Sequence, residues 1–472
     1  MQARRLVSWI TVWFAISSAG ITAQDRRLVE AAKAADTPSV RTLLEKGVDP
    51  DIPQPDGATA LHWAAHWDDA VMARGLVGAS ANVNATNDFG ATALWLASLN
   101  GSASLVETLL TAGADANATL PSGETVLMTA SRTGSATAVR GLVAHGARID
   151  AQEHTRGQTA LMWAVAQGHA EVVSALVELG ADVHLRSLPR PRRIHTRTAG
   201  FNPTGVLDVV QGGFTPLLFA ARHGDLDIAK HLIAGGASVH DTALTGTSAL
   251  VVAAHSGHTA VTRLLLEHGA DPNAADAGYT ALHVATLRGD EVVARALLAK
   301  GANPNTSIER GSPGRRNSPD YVLEHDLVGA TPFWLAARFA EPDIMQALVD
   351  AGAHPDVVML DGTTPLMAAV GARRRREPGL TPNTAEDERL VREAVTVAIE
   401  AGTDVDATNT GGNTALHTAA ARRLDTVVQI LVDSGANLHK ENGEGKTPVM
   451  MATGRDGDVN STVELLRRLG AS

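Results

Sequence analysis

A Thr-(Ala or Pro)-Leu triplet, preceded two positions earlier by glycine, returns along this chain at a nearly fixed interval, and that period constrains the fold more than any single residue does. The anchors are Thr59, Thr92, Thr125, Thr159, Thr215, Ser248, Thr280, Thr331, Thr364, Thr414 and Thr447. Successive separations are 33, 33, 34, 56, 33, 32, 51, 33, 50 and 33, so the three exceptions equal one period plus roughly 17 to 23 inserted residues. The chain's 472 residues would otherwise suggest about three domains. A repeat of this period makes an array in which each unit covers its neighbour, so the core grows along an axis.

A glycine followed by a small residue is the second landmark, as in Gly113-Ala114-Asp115-Ala116-Asn117 and Gly269-Ala270-Asp271-Pro272-Asn273. It lies 21 residues after most anchors, which leaves room for two short helices and a turn. The anchor Thr suits a helix N-cap, and Pro216, Pro332, Pro365 and Pro448 are preset for the first helical position. The glycine supplies the left-handed residue that ends the second helix. Paired apolar residues such as Val172, Val173, Leu176 and Val177 predict a broad buried face on that helix. Residues 26–51 carry the two-helix pattern without the anchor and read as an N-terminal capping unit.

These residues resemble the ankyrin repeat, whose pattern is a β-turn and two helices with a TPLHxA-like signature. Its nearest copies here are Thr280-Ala281-Leu282-His283-Val284-Ala285, Thr59-Ala60-Leu61-His62-Trp63-Ala64 and Thr414-Ala415-Leu416-His417-Thr418-Ala419. The chain is similar to exported bacterial ankyrin-repeat proteins. The resemblance implies an all-α fold, an ankyrin-repeat α-solenoid of about twelve helix-turn-helix units with short β-turn tips. On this reading the repeats occupy residues 24–187, 211–306 and 328–472. Between them lie a basic insertion at 188–210 and a second insertion at 307–327, and the C-terminal stretch carries an inserted loop at 372–388. The histidine position holds Trp95, Met128, Met162, Leu218, Val251, Trp334, Met367 and Met450 in other units, which argues against a shared chemical task for those histidines.

Residues 1–23 are of another kind. Arg4 and Arg5 precede an uncharged stretch rich in Trp9, Ile10, Val12, Trp13, Phe14 and Ile16, and a small-residue exit follows. This is the pattern of a cleaved signal peptide; an uncleaved membrane anchor is the alternative. The protein is therefore expected outside the cytoplasm, and with no cysteine it has neither disulfide nor thiol chemistry. A net charge of -11 disfavours nucleic acid as a partner. No membrane contact is expected beyond the leader, and the expected state is a monomer.

In an ankyrin-like unit the residue before the anchor sits at the turn tip, and the two after the Ala-Ala pair sit near the exposed concave end of the first helix. The resemblance thus assigns Phe214 and Tyr279 to tips. It assigns His66, Trp67, Arg132, Arg222, His223, His255, Arg288, Arg338 and Phe339 to helix ends. Leu287 belongs to the same helix-end column. Arg and aromatic side chains are enriched at binding hot spots, so these eleven apart from Leu287 are the candidate contacts for a protein partner of acidic or mixed charge. Arg190, Arg192, Arg193, Arg315, Arg316 and Arg373 to Arg376 make the insertions basic, as solvated loops often are.

Catalytic, cofactor and metal sites are not expected. His62 and His66 have i, i+4 spacing, but no Glu follows His62 as a HExxH site requires. No P-loop, dinucleotide fingerprint or nucleophile elbow is present. Asp and Asn in the Gly-Ala-Asp-x-Asn turns are expected to bond local backbone and not calcium. The function that follows is an exported scaffold binding a protein along its concave face. The alternatives are a regulatory subunit of an exported enzyme or, third, an enzyme or small-ligand receptor built by the insertions.

Overall fold

Nine of the eleven anchor hydroxyls, all but those of Thr59 and Thr447, accept a hydrogen bond from the backbone three residues on, which starts a helix in each of those repeats. Thr92 accepts from Trp95 N at 3.1 Å, Thr331 from Trp334 N at 3.3 Å and Thr364 from Met367 N at 3.2 Å. The structure, a computed structural model, describes residues 25–196, 205–310, 327–372, 384–453 and 459–472. The expected signal peptide and the arginine runs at 315–316 and 373–376 lie outside the described residues.

Among the described residues 24 α-helices follow one another in pairs. The pair Ala281–Arg288 and Glu291–Ala299 is typical: a first helix of 8 residues and a second of 9. The chain divides into two compact bodies, one ending at Arg148 and one beginning at Ile149. The first contains four helix pairs and the second eight.

Packing follows from the alternation of small and large side chains. In the first helix of one unit Ala60, Leu61, Ala64 and Ala65 are at most 1% exposed. Alanines on two sides keep this helix thin enough to pack against both Arg27–Lys33 and Ala93–Leu99. Each buried Leu contributes about 1.5–3 kcal/mol by leaving water. In the second helix Val172, Val173 and Leu176 are fully buried, as the paired apolar pattern predicts, while Val177, the fourth residue of that pattern, is half-buried.

Two glycines illustrate two different needs. Gly113 has φ 89° in open space, so the left-handed turn alone selects it. Gly278 also has positive φ, but there a Cβ would lie 2.2 Å from the Arg310 carbonyl. That close approach stacks one turn tip on the next.

The first insertion departs from the loop its Arg and Pro content suggests. Strands β1 (Arg190–Thr196) and β2 (Gly205–Gln211) pair antiparallel, with Arg190 opposite Gln211 and Thr196 opposite Gly205. The partner strand Gly-Val-Leu-Asp-Val-Val-Gln is rich in β-branched residues, and Pro191 is tolerated because a two-stranded sheet has only edges. At the base, Gly213 N donates to Ser187 O and Ser187 N to Phe214 O, each at 3.0 Å, so the hairpin grows out of a turn tip. The second insertion also closes at its root, where Ile308 N donates to Ala330 O and Gly329 N to Ile308 O. The third leads into one helix of 17 residues, Thr384–Glu400, which includes Glu386, Asp387 and Glu388.

Candidate protein-binding face

The polar turns are committed to holding the array together. Asp115 accepts from Asn117 N at 2.8 Å, a local Asx turn. Asn117 in turn reaches the next unit, donating its amide to Gly146 O and accepting from Arg148 N, both at 2.8 Å. Asn273 repeats this clip on Gly301 and Asn303. Asn305 makes it with Gly352 and His354 across the second insertion. The expected local bonds of Asp are thus present, and the bridging role of Asn is additional. Among the described residues no group of three or more His, Asp or Glu is arranged to hold a metal ion.

The histidine column also has a structural task. Thr59 N–H donates to His62 Nδ1 at 3.1 Å, which leaves the ring proton on Nε2, 2.9 Å from the Ala91 carbonyl of the following unit. His417 makes the same pair of bonds with Thr414 and Lys446. His283 accepts from Thr280 N at 3.1 Å, and burial pushes its ring down to about 4, opposed by the backbone of Thr306 and Ala330. Burial also lowers His62 and His417 from the ordinary imidazole value. In another unit the Met128 sulfur takes the Nδ1 role, 3.5 Å from Thr125 N. His62, His283, His417 and Met128 thus share a capping function at this position.

The candidate contacts fall into three groups. Trp67, Arg222 and His223 are exposed, Trp67 by 48%. Burial, followed by the Arg222 and His258 charges, lowers the His223 imidazole. His66, Phe214, His255 and Phe339 are half-buried, with Phe214 tilted against Phe219 at 5.5 Å.

The third group is engaged within the fold. Arg132 pairs with the tip residue Glu124 at 3.4 Å. Arg288 donates to the His255 carbonyl of the preceding unit at 2.7 Å, and Arg338 to Gly371 O at 3.4 Å. Tyr279 does not project from its tip. It is 3% exposed, because the next tip closes over Gly278, with Glu309 N donating to Gly278 O. Leu287, on the helix-end column, is likewise buried at 8%.

Arg288 belongs to a series that sequence reasoning did not find. Eight residues after their anchors, Asn100 donates to Ala65 O and His66 O, and Thr133 to Ser98 O. At the same position Arg422 donates to Val370 O and Ala372 O. Each brings a side-chain donor to carbonyls at the end of the preceding first helix, where the helix's own hydrogen bonding runs out. The recurrence of long or polar donors at this position was the available signal. Exposed apolar tips were also missed: Phe89 is 62% exposed, Leu244 52% and Leu360 93%. Each stands one or two residues before a turn glycine.

Paired helices, capped by a recurrent Thr and clipped through their turns, define a repeat scaffold. A family profile described as ankyrin repeats (3 copies) matches residues 28–120, 94–187, 212–308 and 385–472. The chain belongs to the ankyrin-repeat family, whose arrays are in general scaffolds for protein–protein contacts. It is similar to Neurogenic locus notch homolog protein 1 of Xenopus tropicalis, 33% identical over 144 residues, which are 27% of this chain and 6% of that protein. It is also similar to E3 ubiquitin-protein ligase KEG of Arabidopsis thaliana, 28% identical over 272 residues, 56% of this chain and 15% of that protein. The chain thus spans a small part of the curated relatives it matches. The crystal structure of the human ASB11 ankyrin repeat domain is 26% identical with a TM-score of 0.41, covering 55% of this chain and 99% of that one. Among the described residues no helix is long and apolar enough to cross a membrane.

Proposed function

We propose that this protein is a non-enzymatic scaffold that works outside the cytoplasm and holds a partner protein on its first-helix ends and turn tips. The observation that carries the reading is the exposure of Arg222 and His223, side by side at the end of the first helix Pro216–His223 in the second body; in the first body, taken by itself, Trp67 is exposed just past the end of its own first helix. Guanidinium and aromatic groups at such a position supply forked donors and flat apolar area together. Export rests on the leader sequence, with its arginine pair, apolar stretch and small-residue exit. The partner expected has acidic or mixed charge.

Affinity purification from the native extracytoplasmic fraction tests this, with the full chain and an Arg222→Glu/His223→Glu variant as baits. Capture of a stoichiometric partner by the parent, lost in the variant, supports the reading. Equal capture by both removes these residues from the interface.

A further inference from the structure

The exposed Trp67 belongs to an aromatic cluster unlike the other helix ends. Its ring stacks on Trp63 with centroids 6.3 Å apart and planes 28° from parallel. His66 meets both indoles edge-on, at 5.4 Å and 4.7 Å. Trp67 Nε1 donates to Lys33 O at 3.2 Å, and Trp63 Nε1 to Gln54 Oε1 at 3.1 Å. Both indole donors are thereby used, the rings are fixed, and what Trp67 offers solvent is its π surface.

The surroundings select what that surface accepts. Lys33 already lies over the Trp63 ring, 5.5 Å from its centroid, so the chain's own cation uses this cluster. Asp36 and Asp68 are exposed on the two adjoining turns, which Thr37 ties together by donating to Asp69 Oδ2 at 2.5 Å. Glu30 is exposed on the same helix as Lys33. Burial lowers the His66 imidazole from its ordinary value, so the ring adds little positive charge near neutrality. Four carboxylates against the Lys33 ammonium and the Arg74 guanidinium, which acts on Asp69, leave the aromatic patch in a net negative field. An anionic group would be repelled there, and a purely aliphatic one would strip water from the carboxylates without replacing it. A guanidinium satisfies both demands: it lies flat on an indole and its fork reaches carboxylates beside it.

We infer that Trp67, backed by Trp63 and flanked by Asp36 and Asp68, receives an arginine side chain of the bound partner protein. This rests on the scaffold reading and gives the first body a basic point of contact on its partner.

The test uses a fluorescein-labelled Gly-Arg-Gly-Gly-Arg-Gly peptide and its citrulline twin, which keeps the shape and loses the charge. Anisotropy titrations are run against the full chain and the Trp67→Leu and Trp67→Phe variants. The arginine peptide is expected to bind about three-fold or more tighter than the citrulline peptide to the parent. Trp67→Leu, which leaves the protein charge unchanged, should erase that preference, and Trp67→Phe should retain part of it. A preference that survives in Trp67→Leu assigns binding to bulk acidity and overturns the inference. So do equal affinities for the two peptides, or no binding of either. Partner capture lost in the Arg222→Glu/His223→Glu bait alongside such a result would leave the scaffold reading standing and refute only the arginine site.

Discussion

Trp334 donates its indole N–H to the Thr363 carbonyl at 3.1 Å, the residue immediately before the next anchor. His62 and His417 deliver a ring N–H to the equivalent carbonyls of Ala91 and Lys446 at 2.9 Å and 3.0 Å. Two different heterocycles thus make one bond between units. Because Trp334 is 5% exposed, water does not readily replace it. Trp334→Phe should therefore cost about 1–3 kcal/mol, the range for a buried acceptor left without its donor. Urea denaturation measures this, and an unchanged midpoint with an unchanged slope would deny the bond any role.

Acid should destabilise the protein through His283. Its folded-state value of about 4 lies below the ordinary imidazole value of 6.5, so the unfolded chain binds the proton first as pH falls. Stability from this group is fully present above pH 6.5 and is lost as pH drops toward 4, by up to about 3 kcal/mol. His62 and His417 are lowered in the same direction and add to the slope. Replacing His283 with Met, the residue that performs the capping at Met128, should flatten the pH dependence between these limits. Denaturation midpoints at pH 7 and pH 4.5 for both proteins decide it.

The anchor and the buried leucine separate two contributions of the same helix. Thr280→Ala removes an N-cap and should cost about 1 kcal/mol. Leu282→Ala opens a void at a site with 0% exposure and should cost about 2–5 kcal/mol. Similar midpoints for the two variants in urea would mean that the cap, and not the core, dominates this unit.

The repeat was legible because period, N-cap and core side chain are all local properties: Thr280 and Leu282 declare a helix start and its buried side, and Gly301 the end of the second helix, without reference to distant residues. The hairpin was not, because strand pairing joins Arg190 to Gln211 across a segment whose composition, read alone, describes a charged loop. The candidate face was legible in column but not in exposure. Tyr279 occupies the tip position as expected, yet the packing of the next tip determines that it is covered. Arg288 similarly lies at the expected helix end, but its chemistry is decided by a carbonyl 33 residues earlier.

Excising the hairpin should leave the array intact. Pro189 and Gly212 already adjoin, since a Cβ on Gly212 would lie 3.1 Å from the Pro189 Cα. Deleting residues 190–211 and joining these ends shortens a loop without removing any helix, and loop closure changes by only about 1 kcal/mol for such lengths. Circular dichroism should show the parent's helical signal and a cooperative melt. Aggregation or loss of cooperativity would make the hairpin part of the core.

Arg288 and Arg222 stand at neighbouring repeat positions but should respond differently to neutralisation. Arg288 donates at 2.7 Å to the His255 carbonyl, in the last turn of the preceding first helix. Its guanidinium is partly buried while Arg222 is exposed. Arg288→Gln should then lower stability by about 1–2 kcal/mol, the scale of a charged donor lost from a partly solvated site. Arg222→Gln should change stability by less than about 0.5 kcal/mol. In partner capture the order reverses, because Arg222 is exposed while Arg288 is engaged with the His255 carbonyl. Equal stability losses in the two variants would show that the bridge to His255 contributes nothing. A larger capture defect for Arg288→Gln at matched stability would make Arg288 a contact residue after all.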